Sequence, residues 1–152
     1  MADQQRDERL TQLVDHVFVL SGQFLEVGDA ITAPEGLSAA RWLVLGALQD
    51  GPMSPAEIAR RRGLARQSIR ESVARLERSG HIARTDGPDR RTFLVELTDE
   101  GRRALARIEP RRHSWAVETA RDVELGELER AVAVLARLRS ATAGRTTRGD
   151  DA

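Results

Sequence analysis

Apolar residues near the N-terminus recur at spacings of three and four. Leu10, Leu13 and Val17 belong to this series, which follows a polar start. Such spacing places side chains on one face of a helix, so it predicts an amphipathic helix of about 20 residues. Gly28 and Pro34 are the alternative points at which this helix is expected to end.

Two further helices are marked by residues that favour helix starts and stops. Ser38 can cap a helix that ends at Gly51. Ser54 can cap a short helix that has Pro55 at its first position and ends at Gly63. A serine hydroxyl satisfies a backbone amide that a helix start leaves unpaired, and glycine readily adopts the left-handed conformation of a helix end.

The next segment has two different faces and is followed by a change of period. Ile69, Val73 and Leu76 lie at i, i+4 and i+7, which predicts a helix with one apolar face that Gly80 closes. The spacing of apolar residues then changes to two in HIAR and in RTFLVEL. This change predicts two short strands around the turn TDGPDR, and therefore a β-hairpin.

The C-terminal part of the chain returns to a helical pattern. Thr98 or Asp99 is expected to cap one helix, and Pro110 either kinks or splits it. A last apolar series runs from Leu125 to Leu138, and residues 143–152 are expected to be disordered. The predicted fold class is therefore mainly α with a small β-hairpin.

The net charge of zero conceals an uneven distribution of charge. Residues 57–91 carry ten Arg against five acidic residues, whereas residues 1–56 carry three Arg against eight acidic residues. The basic segment coincides with the short helix, the two-faced helix and the hairpin. A local excess of arginine favours contact with phosphates, because the guanidinium group matches their geometry.

Several classes of protein are excluded by the sequence. Cysteine is absent, which excludes disulfides and thiolate metal sites. No apolar stretch approaches ~18 residues and the N-terminus lacks the apolar core of a signal peptide, so we expect a cytoplasmic protein without a membrane span. No nucleophile–base pair, phosphate-binding loop or metal-ligand set is recognisable, so we expect no enzyme, no metal and no cofactor.

The short helix, the turn at Gly63 and the two-faced helix together predict a helix-turn-helix, and the hairpin makes it a winged helix-turn-helix. The second helix suits the DNA major groove. Arg66 can pair with guanine and Gln67 with adenine, and Arg70 lies one turn later, although a solvated helix face is the alternative for all three. Arg62, at the end of the short helix, either contacts phosphate or complements the helix dipole.

The chain resembles the MarR-type (multiple antibiotic resistance regulator) transcription factors over about residues 10–140. Leu76-Glu77 with Gly80, the turn Asp89-Arg90-Arg91, and Leu97-Thr98 with Gly101 match the recurring pattern of this family. The resemblance implies a homodimer that reads a pseudo-palindromic DNA operator, with a ligand cleft between the dimerisation and DNA-binding parts. It also implies that Asp89 orients Arg91 in the wing.

The complete set of expected functional residues follows from these arguments together. Contacts with double-stranded DNA are expected from Ser54, Arg62, Arg66, Gln67, Ser68, Arg70, Glu71, Arg75, Arg90 and Arg91. The residues expected to line a cleft for a small aromatic or anionic ligand are His16, Arg41, Trp42 and His113. Dimer contacts are expected from Leu10, Leu13, Val17, Leu128, Val132 and Leu135.

Two residues depart from the family pattern. Ala65 stands where serine is frequent and would cap the second helix of the motif better. Glu71 stands where a basic residue is common, and either accepts a hydrogen bond from cytosine or pairs with Arg75. Both departures leave the bases that are read undetermined.

The predicted organisation has three parts followed by the tail. Residues 1–36 form an N-terminal helix of the dimerisation region, residues 37–98 the winged helix-turn-helix, and residues 99–142 the C-terminal dimerisation helices. We expect a homodimeric, sequence-specific transcriptional regulator, a repressor whose DNA binding a small molecule modulates. The alternative is a winged-helix module that acts constitutively or through protein partners, without ligand sensing.

Overall fold

A computed structural model of the chain describes residues 1–89 and 91–146. The main elements within them are α1 (Ala2–Thr32), α2 (Ala39–Ala47), α3 (Pro55–Arg62), α4 (Arg66–Arg78), β1 (Ile82–Asp86), β2 (Phe93–Leu97), α5 (Asp99–Thr119) and α6 (Leu125–Thr146). Short 3₁₀ turns follow α1 and α2. The predicted order of elements and the mainly α fold class with one β-hairpin are confirmed.

Helix α1 is longer than its apolar pattern predicts. It begins at Ala2, so the polar start is part of the helix, because residues 2–9 contain no Gly or Pro and several strong helix formers. It also continues past Gly28 and ends at Thr32, so the predicted end at Gly28 is wrong and the one near Pro34 is confirmed. A Cβ atom at Gly28 would lie 2.7 Å from the Cβ of Ala39, so the glycine allows α1 and α2 to pack closely.

The predicted caps of α2 and α3 are present. The Ser38 hydroxyl accepts a hydrogen bond from the backbone amide of Arg41 at 3.4 Å. The Ser54 hydroxyl accepts one from the amide of Glu57 at 3.2 Å, and α3 ends at Gly63 in the left-handed conformation, with φ 62°. These local interactions set where the helix-turn-helix begins and how it turns.

Nearly every element up to the middle of α5 contributes at least one side chain to the core. Ile69, Val73 and Leu76 of α4 are all buried, as their spacing predicts. Burying each such side chain contributes about 1.5–3 kcal/mol to the stability of the fold. The largest fully buried apolar residues are Val44, Leu45, Ile58, Ile69, Leu76, Val95 and Ile108.

The antiparallel hairpin is joined to the core at its base. β1 pairs with β2 from Ile82 opposite Leu97 to Asp86 opposite Phe93. Gly101, in the first turn of α5, lies so close to the carbonyl oxygen of His81 that a Cβ atom there would clash with it. This contact places the start of α5 directly beside the base of the hairpin.

The two C-terminal helices differ from their predicted limits. α5 is continuous through Pro110, so the alternative in which this proline splits the helix is wrong. Pro110 is exposed, and water can satisfy the carbonyl group that the missing amide leaves unpaired. α6 continues to Thr146, beyond the predicted start of a disordered tail at residue 143, and residues 147–152 lie outside the described part.

The chain divides between Arg112 and His113, within α5, into two compact units. The N-terminal unit contains α1 to α4, the hairpin and the first half of α5. Among the residues that the structure describes, no helix is both long and apolar enough to cross a membrane.

Long helices in both units present apolar side chains to solvent. On α1 these include Leu10, Val14, Val17, Phe18 and Phe24, with Phe18 as much as 75% exposed. On α6 they are Leu125, Leu128, Val132 and Leu135. These side chains form continuous apolar rows rather than isolated exposed residues.

Candidate nucleic-acid interface

The helix-turn-helix is formed by α3, a short turn at Gly63 and α4. Both helices pack against each other and against α2. Because Ile58 of α3 and Ile69 of α4 are buried in this packing, the opposite side of α4 faces solvent. The fold therefore presents one polar face of α4 on a rigid support, as a helix that enters a DNA groove requires.

The exposed face of α4 contains the predicted DNA-contacting residues of this helix. Arg66, Arg70 and Arg75 are exposed and make no ion pair with any residue that the structure describes. Arg61 and Arg84, by contrast, are paired with Glu57 and Glu77. Unpaired guanidinium groups keep their donors free for phosphate oxygens and guanine edges. The remaining exposed residues of this face are Gln67, Ser68 and Glu71.

Glu71 is engaged with Gln67, and no ion pair joins it to Arg75 in the described part of the chain. The Gln67 amide nitrogen Nε2 donates to the Glu71 Oε1 atom at 3.3 Å. A carboxylate only accepts hydrogen bonds, so this contact determines which way round the Gln67 amide group lies. The amide oxygen and the second N–H of Gln67 remain available to the N6 and N7 atoms of adenine.

The tip of the wing, residues 87–92, is held by Asp89. The Asp89 carboxylate accepts hydrogen bonds from the backbone amides of Arg91 and Thr92. A side chain at Gly87 would clash with the carbonyl oxygen of Thr92, so the turn requires glycine there. Arg91 is exposed at this tip, whereas the predicted contact Arg90 lies outside the described residues.

Two residues predicted to contact DNA have other roles in this structure. The half-buried Ser54 uses its hydroxyl as the cap of α3. The guanidinium of Arg62 lies against α2, where a Cβ atom at Gly46 would be 3.0 Å from its Nη2 atom. A DNA contact by either residue stays a prediction.

A cavity of about 760 Å³ lies between α2, β2 and α5 in the N-terminal unit. Trp42 is the one predicted ligand residue on its wall. The other lining residues include Leu43, Leu97, Leu105 and Ala106, the cations Arg62, Arg102 and Arg112, and the acids Glu96 and Glu109. The cavity thus combines an apolar surface with more cationic than anionic side chains. The spacing of the charged lining residues along the sequence did not indicate that they lie around one cavity.

The other three predicted ligand residues are placed differently. Arg41 donates from Nε to the Ser38 hydroxyl at 3.1 Å, so it reinforces the cap of α2. His16 is exposed on α1, and His113 is exposed in the second compact unit. Their roles in ligand binding stay predictions.

Comparison with known proteins identifies the family of the chain. The family model described as MarR family matches residues 35–92. An uncharacterised protein of Mycobacterium tuberculosis is 34% identical over 105 residues, which cover 68% of this chain and 73% of the relative. The chain belongs to the MarR family. A second relative of this MarR-family chain is the transcriptional activatory protein BadR of Rhodopseudomonas palustris. It is 33% identical over 100 residues, which cover 62% of this chain and 57% of BadR.

Solved structures of regulators share the fold. The transcriptional regulator BldR from Sulfolobus solfataricus is 28% identical, with a TM-score of 0.74 over 86% of this chain and 96% of BldR. A single-residue mutant of MarR from E. coli, solved with operator DNA, is 17% identical with a TM-score of 0.73, over 86% of this chain and 95% of that protein. Family and fold are those of DNA-binding transcriptional regulators, not of enzymes.

Both departures from the MarR-family pattern are visible in the structure. Ala65 occupies the N-cap of α4 with extended backbone angles, φ −63° and ψ 141°, but offers no side-chain cap. The first turn of α4 therefore keeps its amide groups free of a side-chain partner at this position. Glu71 has a role within the helix, since it fixes the orientation of the Gln67 amide on the exposed face of α4.

Proposed function

We propose that this MarR-family regulator binds a pseudo-palindromic operator as a homodimer, represses transcription there, and releases DNA when a small organic anion binds it. One observation supports the operator contact above all others. The unpaired Arg66 and Arg70 lie on the exposed face of α4, and the same winged helix presents the exposed Arg91 on a turn held by Asp89.

The α4 face supplies base recognition in this proposal. Arg66 and Arg70 each offer a planar pair of donors to guanine, and Gln67 offers its oriented amide to adenine. Each well-formed bidentate contact discriminates against the wrong base by about 1–3 kcal/mol. Arg91 contacts the sugar–phosphate backbone or the minor groove beside the site, which adds affinity that falls as salt increases.

Dimerisation follows from the apolar rows on α1 and α6. Leu10, Leu13 and Val17 lie on one side of α1, and Leu128, Val132 and Leu135 on α6. We propose that these rows pack against those of a second copy, with residues 1–36 and 99–142 forming the dimerisation region and residues 37–98 the DNA-binding part. A two-fold dimer carries two reading helices, so its operator has two half-sites related by the same symmetry.

The cavity beside α2 is the proposed ligand site. Trp42 offers an aromatic surface there, and the lining holds three arginines against two acids, Glu96 and Glu109, of which Glu109 is paired with Arg112. Arg62 and Arg102 are then the cations that favour a negatively charged group. A small aromatic carboxylate matches both features. Its binding weakens DNA binding only if it favours the conformation in which the two reading helices do not fit their half-sites.

The decisive experiment is selection of duplexes from a random library of about 30 bp, which spans two half-sites one helical turn apart. We expect an enriched pseudo-palindrome, a symmetric footprint and one dimer bound per duplex. Enrichment of asymmetric single sites, or of no sequence, would contradict the operator proposal. Repression is tested by transcription in vitro from a promoter that contains the selected site.

Ligand response is tested on the same duplex with benzoate as the anionic probe and benzyl alcohol as its uncharged counterpart. Benzoate is expected to release DNA in the wild type and to lose this effect in Arg102→Ala. If none of a panel of aromatic carboxylates changes DNA binding by the wild type, a constitutive winged-helix regulator is favoured instead.

A further inference from the structure

Hydrogen bonds join the wing to the core at the middle of β2 and at the base of the hairpin. Val95 of β2 exchanges two backbone hydrogen bonds with Met53, at 3.1 and 2.8 Å, and Thr98 donates through its hydroxyl to the Gly80 carbonyl oxygen. Toward the tip the wing is a ribbon of two strands. An isolated two-stranded ribbon is marginally stable in water, so a defined orientation of its tip requires a further contact.

Arg84 of β1 makes that contact, with Glu77 of α4. Its Nε and Nη2 atoms donate to the two carboxylate oxygens of Glu77 at 2.6 and 3.2 Å. Glu77 lies in the last turns of α4 and its side chain is only 23% exposed. A bidentate pair of this kind fixes both the distance and the angle between two groups.

The same guanidinium also covers the aromatic ring at the start of β2. The Arg84 Cζ atom lies 4.2 Å from the centre of the Phe93 ring. Arg84 stands opposite Val95, and Phe93 is two residues before Val95, so both side chains lie on one face of the hairpin. Phe93 directly follows the wing tip, and the guanidinium therefore connects that tip with α4.

This arrangement already occupies part of the Arg84 guanidinium. Its donors on one edge are taken by Glu77 and one of its planar faces by Phe93. The neighbouring arginines of α4, in contrast, are unpaired within the described residues. Arg84 therefore belongs to the basic segment, but its contacts join parts of the winged helix to one another.

We propose that Glu77, Arg84 and Phe93 are positioning residues that hold the wing at the angle where Arg91 and the α4 face reach one duplex together. The inference rests on the proposed wing contact of Arg91. If the wing is held in advance, little conformational freedom is lost when Arg91 meets the backbone. If this clamp of three residues is broken, α4 still reads bases, but the wing tip samples orientations in which Arg91 contributes little.

A double-mutant cycle separates this role from a merely structural one. Affinity for the selected duplex is measured for wild type, Arg91→Ala, Arg84→Ala and the double variant at one salt concentration. We expect Arg91→Ala to cost about tenfold in the wild type, and less than about threefold once Arg84 is alanine, because coupled residues are not additive. The salt slope should fall by about 1 in either single variant, with no further fall in the double variant.

Two further variants and a control make the test specific. Arg84→Lys keeps the charge but loses the bidentate and stacking geometry, so it should behave like Arg84→Ala. Phe93→Leu retains an apolar side chain without the aromatic face and should weaken the coupling in part. Arg103→Ala removes an arginine that is also paired, through Nε with Glu100 at 3.1 Å, but lies outside the wing, and it should leave the Arg91→Ala effect unchanged.

The outcomes distinguish the clamp from the proposed function. Equal costs of Arg91→Ala with and without Arg84, in variants whose thermal unfolding matches the wild type, overturn the clamp alone. The clamp is also overturned if Arg84→Lys, which retains the charge, binds like the wild type. If Arg91→Ala costs nothing in the wild type, the wing contact itself is wrong and the clamp falls with it.

Discussion

The Asp89 carboxylate accepts a hydrogen bond from the backbone amide of Arg91 at 2.9 Å. The same oxygen accepts from the amide of Thr92 at 2.8 Å. The Thr92 hydroxyl and these two amides lower the pKa of Asp89 from its ordinary value, since they favour its charged form. Asp89 therefore orients the main chain of Arg91, while the Arg91 guanidinium makes no ion pair with a residue that the structure describes.

Arg91→Ala should weaken binding to every duplex by about the same factor. A backbone contact carries no sequence information, so the ranking of sequences should not change, and the salt slope should fall in magnitude by about 1. Affinity for the selected duplex and for a scrambled one, measured over a series of salt concentrations, tests this. Arg6→Ala removes an 80% exposed arginine outside the proposed interface and is the control. Unchanged affinity for Arg91→Ala would show that the wing does not touch DNA.

Ala65→Ser should stabilise the protein by about 1 kcal/mol. The backbone of residue 65 already has the extended angles of an N-cap, and only a side-chain acceptor is missing. The free energy of unfolding in urea measures the gain. Ala74→Ser, a half-buried position in the interior of α4, is the matched control and should be destabilising. If both serines destabilise equally, the capping explanation is wrong.

Glu71→Ala should raise general affinity for DNA and lower the preference for adenine at one operator position. The substitution removes a negative charge from the reading face, and it also removes the acceptor that fixes the Gln67 amide. Binding to duplexes that carry each base at that position measures both effects. Glu71→Gln, which keeps an acceptor oxygen without the charge, should retain more of the preference. A rise in affinity with unchanged base preference would mean that Gln67 does not depend on Glu71.

Glu35→Gln should destabilise the protein at neutral pH but not in acid. Glu35 is only 11% exposed and accepts from Arg107 at 2.6 Å and from Arg111 at 3.0 Å. Arg107 first, and then Arg111, hold its pKa below the ordinary value of 4.5. A carboxyl group with a lowered folded pKa stabilises the fold fully above its ordinary pKa and loses this effect as the pH falls through the lowered value.

The pH profile of thermal unfolding tests this sign. The melting temperature of Glu35→Gln should lie below that of the wild type at pH 7, and the two should converge as the pH falls through the lowered pKa of Glu35. Glu118→Gln is the control, because Glu118 and Arg121 form a pair in which both side chains are more than 70% exposed. A constant difference across the whole pH range would assign the loss to something other than the ion pairs.

Deletion of residues 1–27 should abolish dimerisation at micromolar concentration. The deleted segment carries most of the exposed apolar row of α1, including Leu10, Val17 and Phe18. Sedimentation velocity distinguishes monomer from dimer. Val17→Arg should act in the same direction, whereas Asp15→Arg introduces the same group at a polar position of α1 and should leave the dimer intact. A wild-type monomer at this concentration would contradict the proposed architecture.

Local signals in the sequence predicted more of the fold than of the site. The caps at Ser38 and Ser54 and the buried face of α4 agree with the structure, because each depends on residues within about one or two turns of one another. The start of α1 and the end of α6 differ from the prediction, since neither segment carries an apolar period. Whether α5 continues through Pro110 could not be predicted, because no local pattern shows that this proline is exposed.

The side-chain contacts between elements could not be predicted in the same way. Glu77 and Arg84 lie on a helix and on a strand, so no helical or strand period relates them. Glu35 meets Arg107 and Arg111 across more than 70 residues of chain. The cavity likewise collects its charged residues from α3, β2 and α5.

The sequence by itself determined the order of helices and strands, the α4 surface that faces solvent, and the arginine-rich turn at the wing tip. These features follow from backbone hydrogen bonding and side-chain period, which act over a few neighbouring residues. Only the tertiary structure decided that Arg62 lies against α2 and that Arg84 joins α4 to the wing. The physical reason is that packing of the core sets the distances between elements, and rotamer choice then selects among partners within reach.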